Sequence, residues 1–442
     1  MNSHRSFPPE YYRKSADILE KALGQLGAYR KWRAFDPGSE YPIDQRYEAM
    51  PVLTKQDIRE NFPQGFVPPG RDVQQALDSG EIQMVNTSGS SDIRVTNIWN
   101  QKWWDASERA SWKLNSHASR LATGTHREAI LANARNVGII SDDADLPFEK
   151  RRLGRFLYLN EKTDPTTWTP ALTDRMLGEL EVYRPDVLEA NPSLLDRLSR
   201  YIADAGKKAF QPGMIVFTYE YPSKLHYKHV RKVFSSPTVS SYGSTETGYV
   251  FMQCEAGKFH LNSEFCRVDF LPLKAEHGGP QLGKILVTTF NNPWYYIVRF
   301  DVGDLARLDK EGFCDCGRDS GFIVANMEGR QANLTLTVDG RLVTLREADD
   351  IINTLSNIDG YKLEQVTPQE YTLYLVSRRR DKKRLTAEAI DSLRNLYGKN
   401  ARITVTYRED LSPEDSGKYS LARTLFPLNM DDYLEKHIAL RK

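Results

Sequence analysis

The feature that most restricts how this chain can fold is a change of pattern near Gly329. Upstream, from about residue 100 to 325, helical stretches alternate with short apolar or β-branched runs such as GMIVFTYE, SPTVSSYG and GKILVTTF, which predicts an α/β sheet domain. The stretch TPALTDRMLGELEVYRPDVLEANPSLLDRLSRYIADAG reads as helical within that alternation. Downstream, READDIINTLSN reads as a helix, KLEQVT and EYTLYLVS as strands, TAEAIDSLRNLYG as a helix and ARITVTYR as a strand, so the remainder forms a small α+β unit. A chain of 442 residues is also too long for one ordinary core. The expected fold class is therefore α/β, with a large multi-layer N-terminal domain over residues 1–328 and a small α+β C-terminal domain over residues 329–442.

Charge and cysteine usage exclude several classes of function. With 60 basic against 59 acidic residues the formal net charge is +1, so no global field draws the chain to nucleic acid or to an anionic membrane. The opening MNSHRSFPPEYYRKSADILEK has no apolar core of signal-peptide type, and no later stretch approaches the roughly 18 to 20 apolar residues of a membrane span. The expectation is a cytoplasmic protein with neither partner. Four cysteines in so long a chain do not make a disulfide framework.

Five segments carry candidate chemistry. MVNTSGSSDIRV, from Met84 to Val95, places Thr87, Ser88, Gly89, Ser90 and Ser91 after an apolar strand end, where backbone N–H groups and hydroxyls can converge on phosphate oxygens. A flexible surface turn has the same composition. SSYGSTETG, Ser240 to Gly248, offers an aromatic face at Tyr242, a turn at Gly243, a hydroxyl at Thr245 and at Glu246 a carboxylate suited to Mg²⁺. In IVRFDVGDLARL, Asp304 follows a turn glycine and could accept both hydroxyls of a ribose, or merely cap a β-turn. MEGRQANLTL sets Gly329 and Arg330 at the predicted domain border, and LSPEDSGKYSLAR carries Lys418 on a Ser-Gly turn, from which a lysine can be brought to a phosphate.

The order and separation of these five segments resemble the adenylate-forming superfamily, and within it the phenylacetate–CoA ligase branch. The resemblance runs from PVLTKQDIRENF at Pro51 to the SGK turn and includes YRPDVLEANPSLL. It implies that Thr87 to Ser91 contact the phosphates of ATP, Tyr242 packs on adenine, Thr245 binds the α-phosphate, Glu246 holds Mg²⁺ and Asp304 holds the ribose. Arg330 would reach the nucleotide from a hinge, and Lys418 would bridge carboxylate, ribose and α-phosphate. The implied reaction joins a small carboxylic acid, aromatic by resemblance, to AMP. The acyl group then passes to a thiol of CoA or of a carrier-protein phosphopantetheine. A homodimer is left open.

This chain departs from the family pattern in several places. The phosphate loop continues Ser91, Asp92, Ile93, Arg94 where the family has Thr-Gly and a lysine; Asp301 and Val302 precede Gly-Asp; Ala332 and Asn333 replace an acidic pair after the border; and the adenine segment reads Thr218, Tyr219, Glu220. These changes keep two rival readings in play: a ligase that stops at acyl-AMP or makes an amide or acyl-protein, and a non-catalytic nucleotide-binding scaffold. Retention of Glu246 and Lys418 weighs against the scaffold.

Cys254, His260, Cys314 and Cys316 form a separate pattern, QCEAGKFH followed by FCDCG, whose three thiolates and one imidazole suit a closed tetrahedral zinc site. Some members of the resembled branch carry a structural zinc at a matching pattern. The alternative is four unrelated turn residues, and the polar EGF before Cys314 predicts that the Cys-x-Cys turn is not buried. The basic run SRRRDKKR reads as a solvated connection, or as a dock for CoA phosphates or an acidic carrier. Trp103 and Trp104 read as core.

Overall fold

The computed structural model describes residues 6–86, 95–121 and 123–435. The chain divides into two compact units: Met1–Ser119, Ser241–Met327 and Met430–Lys442 form the first, and Arg120–Ser240 with Glu328–Asn429 form the second. No helix among the described residues is long and apolar enough to cross a membrane.

The first unit packs an N-terminal helical segment onto an antiparallel sheet. Helix Pro9–Gln25 starts with proline at its first position, where the missing N–H costs no intrahelical bond, and Thr54 with Asp57 closes a capping box on Lys55–Asn61. The sheet runs in the order Cys266–Pro272, Leu282–Thr289, Phe300–Leu308, Val324–Arg330, Phe259–Leu261, Gly248–Gln253 and then residues 241–244. Its core joins Leu19, Tyr29, Tyr47 and Phe66 from the helical segment to Val250, Phe251, Ile285 and Phe300 from the sheet. Helix Gln101–Trp112, capped by Asn100, packs against Gly248–Gln253.

The second unit carries the parallel sheet. Glu128–Leu131 pairs in parallel with Phe156–Tyr158 and Val187–Ala190, the latter with Met214–Phe217, and that strand with residues 238–240. Three of these strands are buried at every position, as expected of parallel strands covered on both faces. One sequence expectation fails here. The 169–206 stretch is not helical throughout but is helix Pro170–Tyr183, strand Val187–Ala190 and helix Pro192–Asp204. Arg184 ends the first helix in the left-handed region, Pro185 cannot continue it, and Asn191 caps the next. The four residues between are too few for their pattern to separate strand from helix.

The C-terminal elements follow the expected order. Gly360–Thr367 and Glu370–Val376 form a hairpin, Arg402–Arg408 and Ala422–Thr424 add to its two edges in parallel, and helices Leu345–Ile352 and Lys382–Tyr397 share its core. The short strand Ala422–Thr424 had no counterpart in the sequence reading.

Candidate active site and candidate metal centre

In the first unit, the YGSTE segment forms a hairpin between residues 241–244 and Gly248–Gln253. The register shifts between Tyr242 and Gly243, and a Cβ on Gly243 would lie 2.3 Å from the Gly248 carbonyl oxygen, so no larger residue fits. Gly248 has φ +70°, and a Cβ there would stand 2.8 Å from the Trp103 ring. Thr247 closes the turn by donating its N–H to the Ser244 carbonyl at 3.1 Å, and the two hydroxyls bond at 2.9 Å. Thr245 and Glu246 are thereby placed at the tip.

Glu246 is 6% exposed and makes no hydrogen bond or ion pair among the described residues. Its charge adds to burial and to Tyr29 in pushing the Tyr295 hydroxyl well above its ordinary pKa. Burying an ionised carboxylate without a partner is costly, and a cation held by its oxygens removes that cost, so this side chain fits a divalent metal ligand. Asp304, 7% exposed on strand Phe300–Leu308, accepts a hydrogen bond from the Tyr242 hydroxyl at 2.7 Å. Gly303, at φ +82°, lets the strand turn there, and its N–H donates to Asp301 at 3.0 Å while Lys284 pairs with Asp301 at 2.7 Å. Tyr242 and Asp304, far apart in sequence, thus meet, and Thr245 and Glu246 share their hairpin.

The candidate phosphate residues Thr87, Ser88, Gly89, Ser90 and Ser91 lie outside the described residues. The strands flanking them, Gln83–Asn86 and Thr96–Trp99, pair antiparallel with Asn86 opposite Thr96.

In the second unit, Arg330 ends strand Val324–Arg330, and Gly329, at φ +98°, admits no Cβ because Leu345 Cβ would stand 2.9 Å away. A single 3₁₀ turn, Gln331–Asn333, follows, and the Asn333 amide donates to the Ala422 carbonyl at 2.8 Å. Lys418 sits on a turn in which Glu414 N–H donates to the Lys418 carbonyl at 2.8 Å and Gly417 N–H to the Glu414 carbonyl at 2.7 Å. The next N–H, of Tyr419, donates to Glu220 at 2.9 Å. Burial pushes the Glu220 carboxyl above its ordinary pKa, against the pull of Ser193 and of the Lys418 ammonium. The sequence singled out Glu220 only as part of an altered segment; nothing local signalled its contact with residue 419.

The four metal candidates converge in the first unit. Cys254 follows strand Gly248–Gln253, His260 lies in Phe259–Leu261, and Cys314 and Cys316 occupy a turn closed by Gly317 N–H donating to the Cys314 carbonyl at 3.0 Å. Their donor atoms all lie within 4.8 Å of one another. Cys254 and Cys314 sulfurs are 3.6 Å apart and Cys316 sulfur lies 3.2 Å from His260 Nε2. A tetrahedral ion with metal–sulfur bonds of about 2.3 Å separates two sulfurs by roughly 3.8 Å, so the donors stand where a four-coordinate metal needs them and too far apart for a disulfide. Contrary to the sequence expectation, Cys314 is buried at 2% exposure, because it packs with Cys254 and Ile323. Burial pushes the Cys254 thiol up to about 12. Burial also raises Cys316, but Arg318 outweighs it and holds that thiol below its ordinary value. Burial and Arg318 push His260 down to about 4, leaving the imidazole neutral, the form that ligates.

No family model matches the sequence, and no curated protein does. Solved structures do. The chain is similar to 2-hydroxyisobutyryl-CoA ligase in its postadenylation state in complex with R3-HIB-AMP, at TM-score 0.70 and 13% identity over 95% of this chain and 90% of that one. The same ligase with 2-HIB-AMP and CoA in its thioesterification state matches at TM-score 0.55 and 14% identity, over 95% and 91%. The amide bond synthetase McbA from Marinactinospora thermotolerans matches at TM-score 0.51 and 14% identity, over 80% and 70%. The fold is that of the adenylate-forming ligases.

Trp103 donates its indole N–H to the Phe290 carbonyl at 2.9 Å, and Trp104 lies against Trp99, with ring centroids 4.0 Å apart. In the basic run, Arg378 pairs with Asp204 at 2.6 Å, Arg379 with Glu388 at 2.6 Å and Arg384 with Glu388 at 2.9 Å.

Proposed function

We propose that the protein is an ATP-dependent carboxylate-activating ligase that forms an acyl-AMP and then transfers the acyl group to a thiol. The observation that carries this reading is Glu246: a buried carboxylate without a partner among the described residues, at the tip of a hairpin shaped by two obligatory glycines, on the fold of adenylate-forming ligases. A scaffold that only bound a nucleotide would gain nothing from such a costly group.

The chemistry follows from charge. A substrate carboxylate oxygen attacks the α-phosphorus of ATP, the bond to the β-phosphate oxygen breaks, and pyrophosphate leaves. No general base is needed, because the nucleophile is already ionised. The obstacle is the approach of like charges, which fixed positive groups reduce in the transition state. Glu246 would hold Mg²⁺, whose charge offsets that of the phosphates. Thr245 donates to the α-phosphate, Thr87 to Ser91 line the phosphates, Tyr242 flanks adenine, Asp304 accepts from the ribose, and Arg330 with Lys418 supplies positive charge. In the second step a thiolate attacks the acyl carbon, the acyl–phosphate bond breaks and AMP departs.

The finer reading is an aromatic acid and CoA or a carrier phosphopantetheine as acceptor, after the phenylacetate–CoA ligase branch whose motif order the chain resembles. Residues 329–442 act as a mobile small domain that turns at Gln331–Asn333 beside Gly329. Cys254, His260, Cys314 and Cys316 would hold a zinc ion with all four ligands from the protein, and its role would then be structural. Likeness to an amide bond synthetase supports a second reading, in which an amine takes the acyl group.

Carboxylate-dependent ATP–pyrophosphate exchange over a panel of aromatic and aliphatic acids tests the first step. Supplying CoA, a carrier protein or amines then identifies the acceptor by which one discharges the acyl-AMP. No exchange with any acid would remove the ligase reading.

A further inference from the structure

Just beyond strand Met214–Phe217, Tyr219 sits at φ +72°, a region that bulky residues occupy only under strain. Glu220 N–H donates to the Thr218 carbonyl at 2.9 Å, closing a three-residue turn of the strained, positive-φ kind. That turn is anchored below by the Tyr219 hydroxyl, which donates to the buried Glu189 at 2.5 Å. It directs Glu220 to two partners. One carboxylate oxygen accepts from the Ser193 hydroxyl at 2.7 Å, at the start of helix Pro192–Asp204, and the other from the Tyr419 N–H at 2.9 Å. Tyr419 is the residue after Lys418. On its other side the turn is pressed against Asn133, whose carboxamide carbon would lie 2.5 Å from any Cβ at Gly417.

We propose that Glu220 is a positioning residue: it seats the Lys418 turn by holding the Tyr419 N–H, and the strained turn at Tyr219, anchored on Glu189, keeps Glu220 in place for that task. This rests on the adenylation role given to Lys418. Strain of this kind persists only where the surroundings over-determine it, and here it aims one carboxylate at a backbone amide 199 residues away. A lysine on a free turn must still be ordered once the small domain has closed; one whose neighbouring N–H meets a charged acceptor on closing is ordered by that contact. Both Glu220 oxygens are occupied, by the Ser193 hydroxyl and the Tyr419 N–H, so it acts through the Lys418 turn and governs the rate of adenylation rather than ATP affinity. It has no part in acyl transfer from acyl-AMP already made.

Three substitutions test this. Glu220→Ala removes the seat, Glu220→Asp shortens it by one methylene, and Glu220→Gln keeps an acceptor for Tyr419 at full length and a donor for Ser193. Alanine and aspartate are expected to lower kcat for pyrophosphate exchange roughly 10- to 100-fold, the range of one charged hydrogen bond. KM for ATP and thioester formation from supplied acyl-AMP should stay within about twofold, and glutamine should restore most of the rate. Hydrogen exchange of residues 416–420 should accelerate in the alanine and aspartate variants and not in glutamine. Equal damage to both half-reactions, or aspartate as active as wild type, would overturn the proposal. Should Glu220→Ala fail to fold, the contrast between aspartate and glutamine carries the test. A wild-type chain inert with every acid would instead remove the ligase reading. The seat would then stand or fall on hydrogen exchange alone: faster exchange in Glu220→Asp sustains it, unchanged exchange removes it.

Discussion

The YGSTE hairpin and the Lys418 turn hold their key side chains by opposite means. In the hairpin nearly every constraint lies within a few residues: Gly243 against the Gly248 carbonyl, Thr247 back to Ser244, and one helix behind at Trp103. The Lys418 turn is closed by its own Glu414 but placed by Glu220, 199 residues away, and by Asn133. Short-range steric demands write themselves into a compact string of residues that survives as a recognisable motif. Long-range seating can be met by any residue with the right reach, so it leaves no local signature.

The largest expected effect sharpens that contrast chemically. Lys418→Ala should lower adenylation about 10³-fold, roughly 4 kcal/mol of transition-state stabilisation, while largely sparing thioester formation from supplied acyl-AMP. Ala332→Pro or Asn333→Pro should do the reverse, because proline restricts φ where the small domain is proposed to turn. Assaying the two half-reactions separately decides between them.

The metal cluster mixes both means, two short spacings brought together across strands. Purified protein should hold about one zinc per chain. Cys314→Ser should release it and lower stability by about 3 to 4 kcal/mol, since bound structural metal contributes to folding free energy. Metal analysis with a thermal melt checks this; a metal-free protein that is indifferent to chelator would remove the site.

His226 tests long-range burial in the second unit. Burial pushes its pKa down to about 4, against the pull of Asp196 and with the help of His229 and Arg200. The unfolded chain takes up the proton near 6.5, so the neutral imidazole's contribution is fully present above that pH and is lost as pH falls to about 4. Up to about 3 kcal/mol is at stake. His226→Gln, which keeps an acceptor for the Ser223 N–H, should flatten that part of the stability profile relative to wild type.

The smallest effect addresses the comparison itself. A Cβ at Gly243 meets backbone, whereas one at Gly417 meets the Asn133 side chain. Gly243→Ala should therefore cost about 2 to 3 kcal/mol and Gly417→Ala about 1 to 2 kcal/mol, read from denaturant unfolding. Equal costs would break the distinction between the two regions.

The same distinction explains what was legible beforehand. The order helix, strand, strand, helix, strand after residue 329 followed from periodicity, because each of those elements is at least seven residues long. Strand Val187–Ala190 did not, since four buried residues between two capped helices carry no period of their own. Ala422–Thr424 is three residues long and forms only because Gly360–Thr367 offers it an edge. Tyr242, Glu246 and Asp304 stood out in their motifs as candidates, yet the hydrogen bond joining Tyr242 to Asp304 is a product of sheet packing. The burial of Cys314 was missed for a related reason: polar neighbours in sequence say nothing of the Cys254 and Ile323 that cover it.

The most direct test of the central claim is carboxylate-dependent ATP–pyrophosphate exchange in wild type and Glu246→Gln across a titration of Mg²⁺. The account predicts exchange in the wild type with at least one acid. In the variant it predicts a fall of about 10²- to 10³-fold with the fold intact, because the substitution removes a metal ligand and no packing. Near-normal exchange in Glu246→Gln with unchanged Mg²⁺ dependence, or no exchange in the wild type with any acid, would contradict it.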